Sequence, residues 1–153
     1  MRLFISKDQL SASSVSLTDD QFHYVSRVVR IRVKETLTLV VDEEVILDIK
    51  FLGFKSQNLY FEILNKYKSQ KNKLRLSLIQ SLPKQNKFID IIDNVTQAGV
   101  SSIYPVYTTR TVIKWNNTKE KTHLKKWSQR CLSASMQSNQ NFVPKIYPIH
   151  SLK

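Results

Sequence analysis

Leu74-Arg75-Leu76-Ser77-Leu78-Ile79-Gln80, then Phe88, Ile91, Ile92 and Val95, then Gly99 and Ile103-Tyr104-Pro105-Val106-Tyr107: the stretch from Lys73 to Val112 decides the fold. Its first run alternates and ends apolar, the pattern of a strand buried between layers. Pro83 interrupts that run. From Gln85 to Ala98 the spacing i, i+3, i+4, i+7 puts Phe88, Ile91, Ile92 and Val95 on one helical face, and Gly99 stands where a left-handed cap ends a helix. Ile103 to Tyr107 returns as a second strand. A strand, helix, strand unit of this length implies a parallel pair joined by a right-handed crossover, the opening half of an α/β layer.

Downstream, Thr118 to Ser138 reads as a longer helix with Leu124, Trp127, Cys131 and Ala134 on its inner side, and Phe142 to Tyr147 enters a third strand. Upstream the pattern changes. Met1 to Ile5 reads as an edge strand, and Thr18-Asp19-Asp20-Gln21 is a capping box opening a helix from Asp19 to Val29. Three β-rich runs follow, Thr36–Asp42, Val45–Phe54 and Asn58–Leu64. They are separated by Asp42-Glu43-Glu44 and by a break holding Gly53 and Ser56-Gln57-Asn58. These features predict a small, mostly antiparallel barrel with one helix over residues 1–70. Lys66 to Lys73, with four lysines and no large aliphatic side chain, is the expected linker to a second domain at 71–153.

The chain has 153 residues, 41% of them hydrophobic, enough for a buried core. Its longest apolar runs are strand-length, so no membrane span is expected, and the apolar N-terminus is too short for a signal peptide. A cytoplasmic location is the reading that follows. Cys131 is the only cysteine and His23, His123 and His150 are scattered, so no metal site is expected. The formal charge of +12 is unevenly spread. Residues 1–70 hold ten Lys/Arg against nine Asp/Glu, a net of +1, and residues 71–153 hold fourteen against three, a net of +11. Such a field attracts polyanions, RNA above all.

The two glycines, Gly53 and Gly99, cannot form a dinucleotide fingerprint or a phosphate loop. A serine hydrolase elbow and a zinc deaminase signature are also missing. The second segment has only Asp90, Asp93 and Glu120 as acids, so it offers no paired-carboxylate site. Asp90 and Asp93 sit near a helix start, where carboxylates offset the dipole, and Cys131 belongs to an apolar stripe rather than beside a base. No catalytic residue is identified. Cationic and aromatic side chains carry the positive signal: Arg75, Lys84, Lys87, Arg110, Lys114 and the lysines after Thr118 for phosphates, Tyr104, Tyr107 and above all Trp115 for stacking on bases. Trp127 is read as core.

Several segments together resemble the ribosomal RNA small subunit methyltransferase E family. They are Met1-Arg2-Leu3-Phe4, His23 to Arg32 with its Arg27-Val28-Val29-Arg30-Ile31-Arg32 ending, the Lys84-to-Val100 helix, Ile103-Tyr104-Pro105, Thr109-Arg110-Thr111-Val112, and Gln137-Ser138 followed by Val143-Pro144. The resemblance implies a PUA-like β-barrel over 1–70 that binds RNA, followed by the first half of an α/β SPOUT domain over 71–153 without its C-terminal cofactor-binding knot. It further implies methylation of the N3 ring nitrogen of a uridine in 16S rRNA of the small ribosomal subunit, with S-adenosylmethionine as donor and cofactor loops outside this chain. Carried over by motif, Arg2, His23, Arg27, Arg30 and Arg32 lie on or support the barrel's RNA face, and Lys84, Arg110 and Gln137 line the SPOUT side near the target nucleotide. Five places depart from the family pattern. Lys34 replaces a usual glycine, Asn94 a lysine, Gln97-Ala98 a Glu-Leu pair, Met136 an acid and Gln140 an arginine. Such a chain is expected to be inactive alone and to self-associate as a homodimer, through apolar edges at Leu74–Leu82 and Ile103–Tyr107. The alternative is a non-enzymatic RNA-binding module that has lost the methyltransferase site.

Overall fold

The computed structural model describes residues 1–70, 74–84, 87–111 and 120–152. The chain divides into two compact units, Met1–Gln70 and Lys71–Lys153.

The first unit is a five-stranded half-barrel sheet in the order β1-β3-β4-β5-β2. The strands are β1 (Arg2–Ile5), β2 (Ser14–Ser16), β3 (Thr36–Val41), β4 (Val45–Lys55) and β5 (Asn58–Lys68). Only β1 and β3 run parallel; the other pairs are antiparallel. Leu3, Leu39, Leu47, Ile49, Leu59 and Phe61 are buried and fill the curl of the sheet. The β3–β4 hairpin turns through Asp42 and Glu43, both at positive φ, a mirror-image turn that suits the twist of paired strands. Gly53, expected at a strand break, instead lies inside β4 at a bulge opposite Phe61 and Tyr60, and the chain turns later, at Ser56-Gln57. The third β run reaches Lys68, which shortens the expected linker from its N-terminal side.

The expected helix at Asp19–Val29 is two pieces. A five-residue helix, α1 (Asp19–His23), passes directly into a π-helical turn at Tyr24–Val29. The capping box closes as the sequence implies: the Thr18 hydroxyl accepts from the Gln21 N–H, and Gln21 Oε1 accepts from the Thr18 N–H. Phe22 packs edge-on against Phe54 at 5.2 Å, which ties α1 to β4.

The second unit has a parallel sheet with β7 (Ser102–Tyr107) at its centre. On one side lies β6 (Ser77–Ser81); on the other lie the two-residue strands β8 (Lys145–Ile146) and β9 (His150–Ser151). Helix α2 (Lys87–Gln97) connects β6 to β7, and α3 (Glu120–Gln137) lies between β7 and β8. Phe88, Ile92, Trp127 and Cys131 from the helices meet Leu82 and Ile103 in one core, with the Phe88 and Trp127 rings 4.5 Å apart. Gly99 takes φ +83 and ends α2 as its position implies. The sheet is covered unevenly. Leu78, Ile103 and Ile146 share the helix-covered face by register, whereas Ile79, Tyr104 and Tyr147 share the other, where Ile79 is 65% exposed. The expectation that the first strand is buried between layers therefore fails at Ile79.

Candidate nucleic-acid interface

The parallel arrangement collects cations at one end. Lys84 follows the carboxyl end of β6, Lys87 opens α2 there, and Arg110 follows the carboxyl end of β7; all three are exposed. Helix α3 runs back antiparallel to β7, because Glu120 at its start accepts a hydrogen bond from Ile149 N–H, next to His150, which pairs with Val106 near the end of β7. Lys121 therefore joins the same end. Crevices outside the carboxyl ends of parallel strands are where open α/β sheets bind ligands, and this one is bordered by positive charge. The sequence alone names Lys121 only among the lysines after Thr118 and leaves out His150, since only the direction of α3 brings them to this end.

Arg110 sits in a fixed turn. Thr111 N–H donates to Thr108 O at 3.0 Å, and Thr108 N–H donates to Thr111 Oγ1 at 2.8 Å. The Thr111 hydroxyl also lies 3.1 Å from Ser81 Oγ and 3.2 Å from Thr108 Oγ1. Leu82 N–H donates to Val106 O, which holds the chain leaving β6 against β7.

Gln137 is placed elsewhere. It ends α3 beside the amino ends of the strands, where Lys145 N–H donates to Ser101 O. The structure thus brings Lys84 and Arg110 to one end of the sheet and Gln137 to the other. Near Gln137, Gln140 Nε2 donates to the Gln97 carbonyl at 3.1 Å. A neutral amide caps the last turn of α2 at a position where the resemblance expects an arginine, and Met136 is buried where it expects an acid. Trp115 and Lys114 lie outside the described residues. Tyr104 and Tyr147 stack on each other at 4.3 Å and 11°, and Lys145 Nζ lies 4.7 Å from the Tyr147 ring. Their mutual hydrogen bond, then burial, raises the Tyr104 phenol pKa. Burial pushes the Cys131 thiol up to about 11, which keeps it protonated and unsuited to attack.

In the half-barrel, His23, Arg27, Arg30 and Arg32 are exposed along α1 and the π turn. Arg30 takes φ 56 and ψ 44, donates its backbone N–H to Val25 O, and folds Nε onto Arg27 O at 3.2 Å. Arg32 N–H donates to Glu35 Oε2. Arg2 stands apart from this arc. It is half-buried in β1 opposite Thr38, and its Nη1 is enclosed without a partner. It shares its surroundings with Asp48, which accepts from Thr38 Oγ1 at 2.8 Å, and with Tyr67, whose phenol pKa is raised by burial and by Asp48 against the opposing charge of Arg2. Arg2 is therefore set within the sheet. The half-barrel also has a cavity of about 470 Å³ with an aliphatic floor that includes Val41, Leu47 and Ile63. Lys7, Lys66, Asp42 and Glu44 on its rim cancel in charge, so it does not match a polyanion.

The RNA methyltransferase domain family matches residues 70–153. The chain is similar to the ribosomal RNA small subunit methyltransferase E of Buchnera aphidicola, 24% identical over 95% of this chain and 58% of that protein. It is also similar to the protein of the same name from Mesomycoplasma hyopneumoniae, 36% identical over 56% of this chain and 37% of that protein. Among solved structures, the small subunit methyltransferase E of Neisseria gonorrhoeae, bound to S-adenosyl methionine, superposes with a TM-score of 0.80. That match is 24% identical and covers 98% of this chain and 61% of that one. The chain spans about half to three-fifths of the length of such curated relatives. No described helix is long and apolar enough to cross a membrane. With a PUA-like half-barrel ahead of a SPOUT-like parallel sheet, and with that match over its second unit, the chain belongs to the RNA methyltransferase domain family, in its ribosomal RNA small subunit methyltransferase E branch.

Proposed function

We propose that the chain supplies the RNA-docking part of an enzyme that methylates N3 of a uridine in 16S rRNA, in the cytoplasm, on the small ribosomal subunit. The observation that carries this reading is the cationic border at the carboxyl end of the parallel sheet, formed by Lys84, Lys87, Arg110 and Lys121. The exposed arc of His23, Arg27, Arg30 and Arg32 supplies further RNA contacts from the half-barrel, which acts as the recruiting domain of residues 1–70. The second domain, 71–153, presents the target nucleotide.

A methyl donor such as S-adenosylmethionine supplies an activated methyl group when bound. The described residues form no glycine-rich cradle for it. Where open α/β sheets take up nucleotide cofactors on glycine-rich turns, those turns stand at the carboxyl ends of strands, yet Gly53 sits at a bulge of the half-barrel and Gly99 at the opposite end of the parallel sheet. What the chain offers by itself is affinity for RNA. That affinity is tested by titrating the protein into a fluorescein-labelled single-stranded RNA at several salt concentrations. For Z phosphates contacted, log affinity falls with log salt at a slope of about −0.7Z for single strands. A flat response overturns the proposal.

A further inference from the structure

We propose that Thr111 is a positioning residue, whose hydroxyl pins the Thr108–Thr111 turn to the end of β6 and so presents Arg110 to an RNA phosphate. This rests on the RNA-docking reading above and assigns it a device for pre-organisation.

An arginine on a free loop loses its conformational freedom at the moment it binds, which cancels much of what the contact contributes. Arg110 is spared part of that loss, because its turn is fixed before any ligand arrives. The Thr111 hydroxyl has one proton and two lone pairs. It accepts from Thr108 N–H at 2.8 Å, and of its two hydroxyl neighbours, Ser81 at 3.1 Å and Thr108 at 3.2 Å, one donates to it and the other accepts. Its hydrogen-bonding capacity is therefore filled. Ser81 belongs to β6 and Thr108 follows β7, so a single oxygen joins the ends of two neighbouring strands and the turn that carries the cation. Valine matches threonine in shape but offers neither proton nor lone pair. Serine keeps all three contacts.

The test uses the full chain and fluorescein-labelled oligouridine, with anisotropy read across a salt series. Thr111→Val is expected to weaken binding about five-fold and to flatten the salt slope by about 0.7, the loss of one phosphate contact. Thr111→Ser should match the wild type. Arg110→Ala should weaken binding at least as much as Thr111→Val, and the double variant Arg110→Ala/Thr111→Val should bind no more weakly than Arg110→Ala alone. A lowered stability at Thr111→Val leaves the salt slope of the folded protein unchanged, so the slope separates positioning from mere support. Ser81→Ala, which removes one of the three partners, is expected to move affinity and slope the same way by a smaller amount, and it stands in should Thr111→Val not fold. The inference is overturned if the hydroxyl variants keep wild-type affinity and slope while Arg110→Ala loses them, or if the double variant loses the sum of the single effects. In both cases the RNA-docking reading survives. A wild type without salt-dependent affinity overturns that reading and the inference with it.

Discussion

The two sheets of this chain solve burial differently. The half-barrel is antiparallel but for one pair, carries a net charge of +1 and encloses its own core, with Leu39, Ile49 and Leu59 at 0% exposure. The parallel sheet carries +11 and is covered by helices on one face, while Ile79 stands 65% exposed on the other. Parallel sheets are ordinarily covered on both faces. The first unit is therefore a finished support, and the second is a surface: cations at one end, apolar side chains on one face.

Truncating a buried aromatic or aliphatic residue in each unit tests whether the cores are separate. Phe61→Ala, at 1% exposure, is expected to cost the half-barrel about 3–5 kcal/mol, and Ile92→Ala, at 0%, to cost the parallel unit about 2–5 kcal/mol. Urea unfolding followed by tryptophan fluorescence reports the parallel unit, since Trp115 and Trp127 both lie in residues 71–153. It should shift with Ile92→Ala and stay in place with Phe61→Ala. A common shift for both variants would make the two cores one cooperative body.

The exposed faces give the next effect. Ile79 and Leu52 are both exposed aliphatics, at 65% and 49%, but Ile79 shares its face with Tyr104 and Tyr147. If the chain self-associates, as we propose from this face, Ile79→Asp shifts the equilibrium toward monomer about ten-fold or more in sedimentation, and Leu52→Asp leaves it alone. Equal effects from the two variants would place the contact somewhere else. Ion pairs are expected to matter less. Arg130 grips Asp93 through two nitrogens and joins α3 to α2, and that hydrogen bonding raises the Arg130 pKa. With side chains 45% and 19% exposed, the pair is screened, and Asp93→Asn should cost about 1 kcal/mol. Lys50 and Glu62 of the half-barrel meet only at 4.0 Å with both side chains exposed, and Glu62→Gln should leave the unfolding midpoint unchanged.

Much of this architecture was legible because local rules agreed with the fold. The helical spacing of Phe88, Ile91, Ile92 and Val95, the stop at Gly99 and the capping box at Thr18 each stand as read, since each depends on neighbours in sequence. Strand β2 was not legible: Ser14-Val15-Ser16 has one apolar residue, and its pairing with Asn58–Tyr60 is a long-range contact that leaves no periodic trace. The π turn was hidden for a related reason. Val25, Val28 and Val29 keep a helical spacing while the backbone widens, and Val28 ends 61% exposed. At the candidate interface, Lys84 and Arg110 were found by residue type and motif. The Ser81–Thr111 contact was not, because it depends on which ends of which elements meet; Lys121 was read among the lysines after Thr118, without its place at this end of the sheet. Arg2, read by motif as lying on or supporting the RNA face, has a half-buried place in the sheet opposite Thr38.

The effect most diagnostic of local backbone pairs one residue from each unit. Lys34 takes φ 78, in the left-handed region, at a position where the family resemblance expects glycine; its N–H donates to Phe51 O at 2.8 Å, which holds it there. Gly99 takes φ 83, and an added Cβ would meet only Gln140 Nε2, at 4.0 Å. The space at Gly99 is thus free, so the cost of Gly99→Ala is conformational alone, about 1–2 kcal/mol. Lys34→Gly removes the same penalty from the native state, but it also frees the unfolded chain, so the net gain is smaller, about 0.5 kcal/mol. Both midpoints come from urea unfolding, and opposite signs are the expected result. A loss at Lys34→Gly would mean that the lysine side chain contributes more through its contacts than its backbone loses through strain. The half-barrel would then have adapted to the substitution, and its glycine-like backbone would no longer mark a penalty.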